Sequence, residues 1–470
     1  MVDLREYMDE LRERNELVEF NEPISLDLEL PAIARKLMYR GGPAVIFRRI
    51  KENSLPAVVN LFGTWERVQA AMGNAALSSL EKNISLMLKP RFASLGNAIK
   101  SLSEVAEMGK FLPRLVNRSP VHEVEWKSID LRKIPAIRQW IGEPGFFYTM
   151  GITFIERDGV INFGYYRIQV LSEDKMIMHW MPNRRSAEYS RHTNDIAIVF
   201  GPDPLLMLMA ATPIPHPLDK VLVTGMLGGR GIELTEGRTI NTHYPARAEV
   251  VVEAELTGEY AEEGPFGDHV GVYSIRKPYP VAKVKAIYSR GDAVVPLTVT
   301  GKPVLEDGNM ILFASQVIKP MLKLMMPELI DIYMPPSGLG YVYIVSIRKT
   351  TPGQARKAMT MLWSLSPLYG KLIIVVDGDI DVRNMNQVMY AVSAHVNPAR
   401  DLLVINDYPT EELDPSTPTP NLGSKVGIDA TRKLPEEYGG QKYPEDAVSN
   451  PAIEENAEKI VNELLRRWRQ

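Results

Sequence analysis

The sequence predicts an α/β plus β protein, with a mixed α/β domain at each end and a strand-rich antiparallel centre. Three observations carry that reading. Amphipathic helices and short apolar runs alternate before about residue 112. Five strand-like runs then crowd into residues 150–299, separated by Gly, Pro and charged turns. Beyond residue 340, strand and helix patterns alternate again. At 470 residues the chain is too long for one ordinary domain, because single cores stop growing near about 250–300 residues. The expected domains are 1–112, 113–309 and 310–470.

In chain order, Leu4, Tyr7, Met8 and Leu11 recur at helical spacing, with charges on the other face. A second helix follows Pro31 (Ile33, Ala34, Leu37, Met38) and Gly41-Gly42 stops it. Ala44–Phe47 and Ala57–Leu61 read as buried strands. In the centre, Met150–Ile155 and Val160–Val170 flank Asp158-Gly159, a strong hairpin signal. Ala248–Leu256, Ala282–Ile287 and Ala293–Val299 complete a set that suits an antiparallel barrel or sandwich. A helical connector with Ile311, Val317, Leu322 and Met325 leads out of it. Strand Tyr341–Ile347, helix Gly353–Ser364, strand Lys371–Val376, a helix near 384–394 and strand Leu402–Ile405 then imply a layered α/β domain. Residues 408–450, rich in Pro, Thr, Gly and Glu, are expected to be extended or looped. A final helix carries Ile453, Ala457, Ile460, Leu464 and Trp468 on one stripe. Stranded beyond a long loop, it is expected to dock on another subunit.

Composition narrows the function classes. Basic residues number 54 and acidic ones 58, spread along the chain for a net charge of −4. No basic block marks a nucleic-acid or membrane footprint, which leaves a small molecule as the expected ligand. The absence of cysteine excludes disulfides, thiolate metal sites and a thiol nucleophile. The N-terminus is charged from its third residue and has no apolar core of signal-peptide length. The apolar stretches at 204–215 and 372–376 are too short to span a bilayer. A cytoplasmic protein is expected. The cysteine-free, Glu/Lys/Arg- and Pro-rich composition also suits a thermophile.

Three stretches could carry chemistry. In 262–273, EEGPFGDHVGVY, Glu263 and Asp268 flank a Gly-Pro-Phe-Gly turn. Two carboxyls held across such a turn can be driven to different pKa values, one staying charged while the other donates a proton. Read alone, the turn is more readily an acidic surface loop. In 162–180, Asn162, Arg167 and His179 lie on strand-like runs joined by the turn Ser172–Lys175. Arg167 has apolar and aromatic neighbours, and a buried arginine needs an anionic partner. His179, between Met178 and Trp180, reads alone as a satisfied core histidine more often than as a ligand. In 421–433, Gly423-Ser424-Lys425 is not a phosphate loop: Ser424 separates Gly423 from Lys425, and Pro418 stands where another glycine is required.

Taken together, these stretches resemble one family. NLFGTWERVQAAMG at 60–73, NFGYYRIQV at 162–170, EGPFGDHVGVY at 263–273, NPARDLLVIN at 397–406 and GSKVGIDATRK at 423–433 stand in the order seen in UbiD-type decarboxylases. The resemblance extends from the opening helix through about residue 445. It implies a central split β-barrel like that of flavin reductases. It also implies prenylated FMN, made by a partner flavin prenyltransferase, and reversible non-oxidative decarboxylation of α,β-unsaturated or aromatic acids. By motif position Arg167, Glu263 and Asp268 are the acid–base centre, with Arg167 anchoring the carboxylate, Asp268 giving the proton and Glu263 holding Arg167. Asn162, Tyr166, Arg167, Ile168, His179, Trp180, Lys220 and Lys425 stand at cofactor positions.

The family also binds a divalent metal, commonly Mn²⁺, with K⁺ nearby, and Asn162 and His179 stand at two ligand positions. The third, a glutamate in the family, is Lys220 here, with Asp219 before it. A protonated lysine cannot ligate a metal. Either Asp219 reaches in, or the Lys220 ammonium replaces the metal's charge; the second is favoured, since neighbours on a helix point about 100° apart, and the divalent ion is then weakly held or absent. Candidate substrates are anhydromevalonate phosphate, an archaeal isoprenoid intermediate that Arg184, Arg185 or Arg191 could meet at the pocket mouth, and polyprenyl-hydroxybenzoate-type aromatic acids. Two other readings stay open: a flavin-binding carrier or assembly protein without catalysis, and a flavin oxidoreductase, which the lack of a GxGxxG after a strand disfavours. A homodimer or higher homo-oligomer is expected.

Overall fold

The computed structural model describes residues 3–73, 77–88, 108–180, 185–214 and 218–468. The opening helix Leu4–Glu13 starts at a capping box, Asp3 accepting from the Arg5 and Glu6 amides. Leu4, Tyr7, Met8 and Leu11 are its buried face. The helix Glu29–Tyr39 begins two residues before Pro31, which occupies its first turn, where proline removes no helical hydrogen bond. The quoted segment 60–73 is structural. Thr64 caps the helix Trp65–Met72. Arg67, 1% exposed, is held by Glu16 at 2.6 Å and the Gly42 carbonyl at 3.1 Å.

Leu17–Phe20, Ala44–Phe47 and Ala57–Val59 form a four-stranded sheet whose last member is Val295–Leu297. The apolar run 293–299 therefore belongs beside Ala57–Val59, in parallel register, and not among the central strands where the sequence placed it. An apolar run shows that a strand is buried but does not show which sheet takes it.

Among the described residues the central sheet has nine strands, and every pair is antiparallel. Asp158 and Gly159, both at positive φ, turn Ile152–Arg157 into Val160–Tyr165. The expected strand Val160–Val170 breaks in two. Val160–Tyr165 is one edge of the sheet, whereas Ile168–Val170 lies one strand from the opposite edge. Three residue steps span at most about 11 Å, so the sheet must curl until its ends approach at Tyr166 and Arg167. No strand pairing joins those ends among the described residues, so this is an open curled sheet rather than a closed barrel. Arg167 occupies the seam.

The helix Glu306–Met325 follows, and Glu306, fully buried, accepts from the Phe62 amide at 2.6 Å and the Thr298 hydroxyl at 2.8 Å. Burial pushes its carboxyl from 4.5 to about 7. The folded state thus holds this proton more tightly than the unfolded chain, and the group costs stability as pH rises from about 4.5 through 7. Glu306→Gln is expected to stabilise the protein by about 1–3 kcal/mol at pH 8 and to be near neutral at pH 5. Denaturant titrations at the two pH values measure the difference.

The C-terminal sheet runs Leu329–Tyr333, Val342–Ile347, Leu372–Asp377, Leu422–Ala430, Leu402–Pro409. Strand Leu422–Ala430 corrects the expectation that 408–450 holds only extended or looped chain: it inserts parallel to Leu372–Asp377 and antiparallel to Leu402–Pro409. Residues 441–450 are irregular and mostly exposed, and the helix Pro451–Trp468 beyond them buries nothing. Among the described residues no helix is long and apolar enough to cross a membrane.

Candidate active site

A guanidinium in the curled sheet's seam must be paired, because arginine does not give up its proton. Arg167, its side chain 7% exposed, meets two carboxylates. Nε and Nη2 donate to Glu263 Oε1 and Oε2 at 2.7 and 2.9 Å, and Nη1 donates to Asp268 Oδ2 at 2.7 Å. Glu263 ends the long strand Val250–Glu263 and is fully buried. Its second oxygen also lies 3.3 Å from His179 Nδ1. The Arg167 guanidinium stands 5.2 Å from the centre of the Phe266 ring. Burial opposes the charge on Arg167, but the Glu263 bond and the charges of Asp268 and Glu263 outweigh it and raise its pKa. Burial likewise lifts Glu263, yet His179 and Arg167 bring it below the ordinary carboxylate range.

The turn that joins the two acids is clamped from several elements. Gly264 donates its amide to Gln169 at 3.0 Å and Gly267 donates to Glu143 at 3.0 Å. The Gly267 carbonyl accepts from Gln139 at 2.9 Å and Thr300 at 2.6 Å. A Cβ on Gly267 would sit 2.1 Å from Trp140 Cδ1, so only glycine fits against that ring. The loop is thus a rigid mount for Asp268 rather than an acidic surface turn. Asp268 itself, 13% exposed, shares its charge with two cations, Arg167 on Oδ2 and His269, whose Nδ1 is 2.7 Å from Oδ1. Burial pushes Asp268 up, but the His269 bond and charge, with Arg167, hold it well below the usual carboxylate range.

A second group gathers beside the first. Asn162 Nδ2 donates to Ser186 Oγ at 2.7 Å, and the Tyr166 hydroxyl lies 2.7 Å from the same oxygen. The Tyr166 and Trp180 rings meet edge-on at 6.0 Å. Trp180 Nε1 is buried with no hydrogen-bond partner among the described residues. Lys220, 7% exposed, donates to the Phe163 and Ala210 carbonyls at 3.1 Å each. Asp219 accepts from the Leu222 amide at 2.9 Å and so caps the helix Lys220–Gly228. Ile168 is wholly buried in the core of the sheet. Lys425 stands apart, in the C-terminal sheet. Its ammonium donates to the Tyr369 carbonyl at 2.8 Å, and burial lowers it to about 8. Arg185 donates to the Ile214 carbonyl at 3.4 Å, Arg191 is exposed, and Arg184 lies outside the described residues.

Sequence reasoning missed the residues that build around this centre. Ser186 and Glu143 carry no motif signal, and His269 stood inside a quoted motif without a role. Its adjacency to Asp268 was the available signal, since on a turn neighbouring side chains can serve one carboxylate.

The curled antiparallel sheet thus carries a buried arginine between two acids, in a chain with mixed α/β sheets on either side of it. The chain matches the N-terminal, Rift-related and C-terminal domains of 3-octaprenyl-4-hydroxybenzoate carboxy-lyase over residues 8–87, 114–303 and 310–430. It is 38% identical to an uncharacterised protein of Aeropyrum pernix, with 96% of each chain covered, and 32% identical to one of Archaeoglobus fulgidus, with 98% of each covered. Among solved structures, it resembles the vanillic acid decarboxylase of Sedimentibacter hydroxybenzoicus in its closed form (TM-score 0.87, 26% identity, 99% of each chain). An open form of that enzyme fits at a TM-score of 0.78, with 26% identity and 99% of each chain covered. The UbiD-class enzyme HmfF of Pelotomaculum thermopropionicum, in complex with FMN, gives 0.78 at 25% identity, covering 96% of this chain and 98% of its own. The chain belongs to the UbiD family and is a carboxy-lyase.

Proposed function

We propose that the protein uses prenylated FMN to decarboxylate an α,β-unsaturated or aromatic acid, with Arg167, Glu263 and Asp268 as its acid–base centre. The observation that carries this reading is the buried Arg167 fork held by Glu263 through two bonds and by Asp268 through one. Glu263 fixes the plane of the guanidinium. The more exposed Asp268 is the partner that an incoming substrate carboxylate displaces, since bidentate pairing favours the Glu263 side. CO₂ leaves without a proton, so the carbon it vacates must take one, and Asp268 is the acid within reach of that site.

The residues present suit the flavin. Asn162, Tyr166, Ser186 and Trp180 gather donors in one place, and Trp180 Nε1, without a partner among the described residues, needs an acceptor such as a phosphate or a ring oxygen. When bound, the flavin supplies the electron sink for the carbon–carbon cleavage. Co-production with a flavin prenyltransferase, followed by mass spectrometry of the released cofactor, is expected to give prenylated FMN in stoichiometric amount. Recovery of plain FMN that NADH bleaches rapidly would favour an oxidoreductase instead.

Lys220 sets its ammonium on the Phe163 carbonyl, one residue along the chain from Asn162, and Asp219 is engaged as a helix cap. On this reading the lysine takes over the charge that the family resemblance assigns to a divalent ion. Chelator dialysis of the holo-protein is therefore expected to leave flavin content unchanged. Mn²⁺ remaining in stoichiometric amount after that dialysis would contradict this role for Lys220. The aromatic-acid decarboxylases among the structural relatives favour an aromatic substrate over a phosphorylated one. Arg185 is moreover already engaged with a backbone carbonyl. The homo-oligomer expected from the sequence is assigned to the helix Pro451–Trp468, whose stripe of Ile453, Ile460, Leu464 and Trp468 is 50–81% exposed in one copy.

A further inference from the structure

Asp268 poses a problem for its own role. With a cation on each oxygen it rests as the carboxylate, and a carboxylate has no proton to give. The source of the proton is visible next to it. His269 Nδ1 lies 2.7 Å from Asp268 Oδ1, and the His269 amide donates to that same oxygen at 2.7 Å. The ring is 22% exposed, so water reaches it.

Three acids act on the charge of this ring, one of them by direct contact. Asp268 comes from the turn, Asp307 from the first turn of Glu306–Met325, and Glu411 from the segment after Leu402–Pro409; all three favour the imidazolium. Asp307 Oδ1 accepts from the Gly308 amide at 2.9 Å, while its Oδ2 is buried without a hydrogen-bond partner among the described residues. Its carboxyl is pushed up to about 6 by burial, against the charge of His269. Burial would lower His269, but the Asp268 bond and the three negative charges raise it from 6.5 to about 9.

We propose that His269 is the positioning residue that holds the reaction's proton in reserve and passes it to Asp268 once a substrate carboxylate has drawn Arg167 Nη1 away. This rests on the decarboxylase reading of the same site. The Nδ1–H bond of the imidazolium breaks and an Oδ1–H bond forms on Asp268, leaving a neutral imidazole and a carboxylic acid. The carbon–CO₂ bond then breaks, and the carbon keeps its electron pair and takes the Asp268 proton. Water returns one proton to His269. One proton is consumed per CO₂ released, and nothing is oxidised or reduced. The three surrounding acids keep the ring charged between turnovers, and the Arg167 charge keeps the proton off Asp268 until substrate arrives.

The test is ¹⁵N-histidine NMR of the flavin-loaded protein across pH, with the His269 signal assigned by its loss in His269→Gln. The expected midpoint lies a unit or more above the ordinary value of 6.5 and falls by about a unit in Asp268→Asn. A midpoint near 6.5 that ignores Asp268→Asn overturns the proposal. In turnover, with vanillate or 3,4-dihydroxybenzoate as the first probes, His269→Gln is expected to lose about 10²-fold in kcat at unchanged KM. It should also lose the alkaline fall expected of the wild type near pH 9. A variant that keeps the wild-type profile overturns it. Failure of every acid to react would strike the proposed function and leave the NMR result standing on its own.

Discussion

Arg167→Ala is expected to lose CO₂ exchange by about 10²–10³-fold while the flavin stays bound. Arg167 supplies both the substrate anchor and the charge that orders its two acids, and removing a preorganised charge of this kind costs about 3–4 kcal/mol in the transition state. The flavin is expected to stay because Asn162 and Tyr166 are held by Ser186 and Lys220 by two backbone carbonyls, contacts that do not depend on Arg167. The variant also pays in stability. Glu263, fully buried, keeps only the 3.3 Å contact with His179 when its guanidinium partner goes. Breaking one side of a buried pair costs about 3–5 kcal/mol. Arg167→Lys separates these effects: it preserves the charge but cannot reproduce the fork, and so should recover stability more than turnover. Parallel denaturant titrations and exchange assays on both variants check the prediction, and a carrier protein would retain its flavin in both with no turnover to lose.

The second large effect concerns the tail. Ile460→Asp combined with Leu464→Asp should reduce the assembly to monomers, read by light scattering, with the fold of the remaining chain intact. The two positions are 50% and 57% exposed and lie on a helix with no buried residue in its own copy. An amphipathic helix of 18 residues draws its stability from the surface it covers. On the proposed reading a second copy of the chain covers it. A wild type already monomeric at working concentration would contradict this assignment.

The physical limits of sequence reading show at particular residues. Asp158-Gly159 announces its hairpin because the turn needs positive φ at both positions and the signal is local. The strand Leu422–Ala430 was missed because its apolar residues are sparse and polar residues and glycines interrupt them. Gly427 is required there, since a Cβ would lie 2.3 Å from the Met359 sulfur, a contact that no local pattern encodes. The break at Tyr166 and Arg167 hides inside an unbroken apolar–aromatic run, and only the curl of the whole sheet explains why the chain leaves one edge to join the other. The acid–base trio was legible through the order of its motifs. What stayed hidden was the partition of charge inside it. Nothing in the spacing of Glu263, Asp268 and His269 says that Asp268 carries a cation on each oxygen while Glu263 takes two bonds from one.

The central claim is that this buried fork, with prenylated FMN, exchanges CO₂ with an unsaturated or aromatic acid. ¹³C-bicarbonate exchange measures it most directly, run on holo-protein co-produced with a flavin prenyltransferase across vanillate, 3,4-dihydroxybenzoate, cinnamate and prenylated hydroxybenzoates. The account predicts label entering the carboxyl group of at least one acid, abolished by Arg167→Ala and absent without the prenyltransferase. Exchange that survives Arg167→Ala, or proceeds equally well on unmodified FMN, would contradict it.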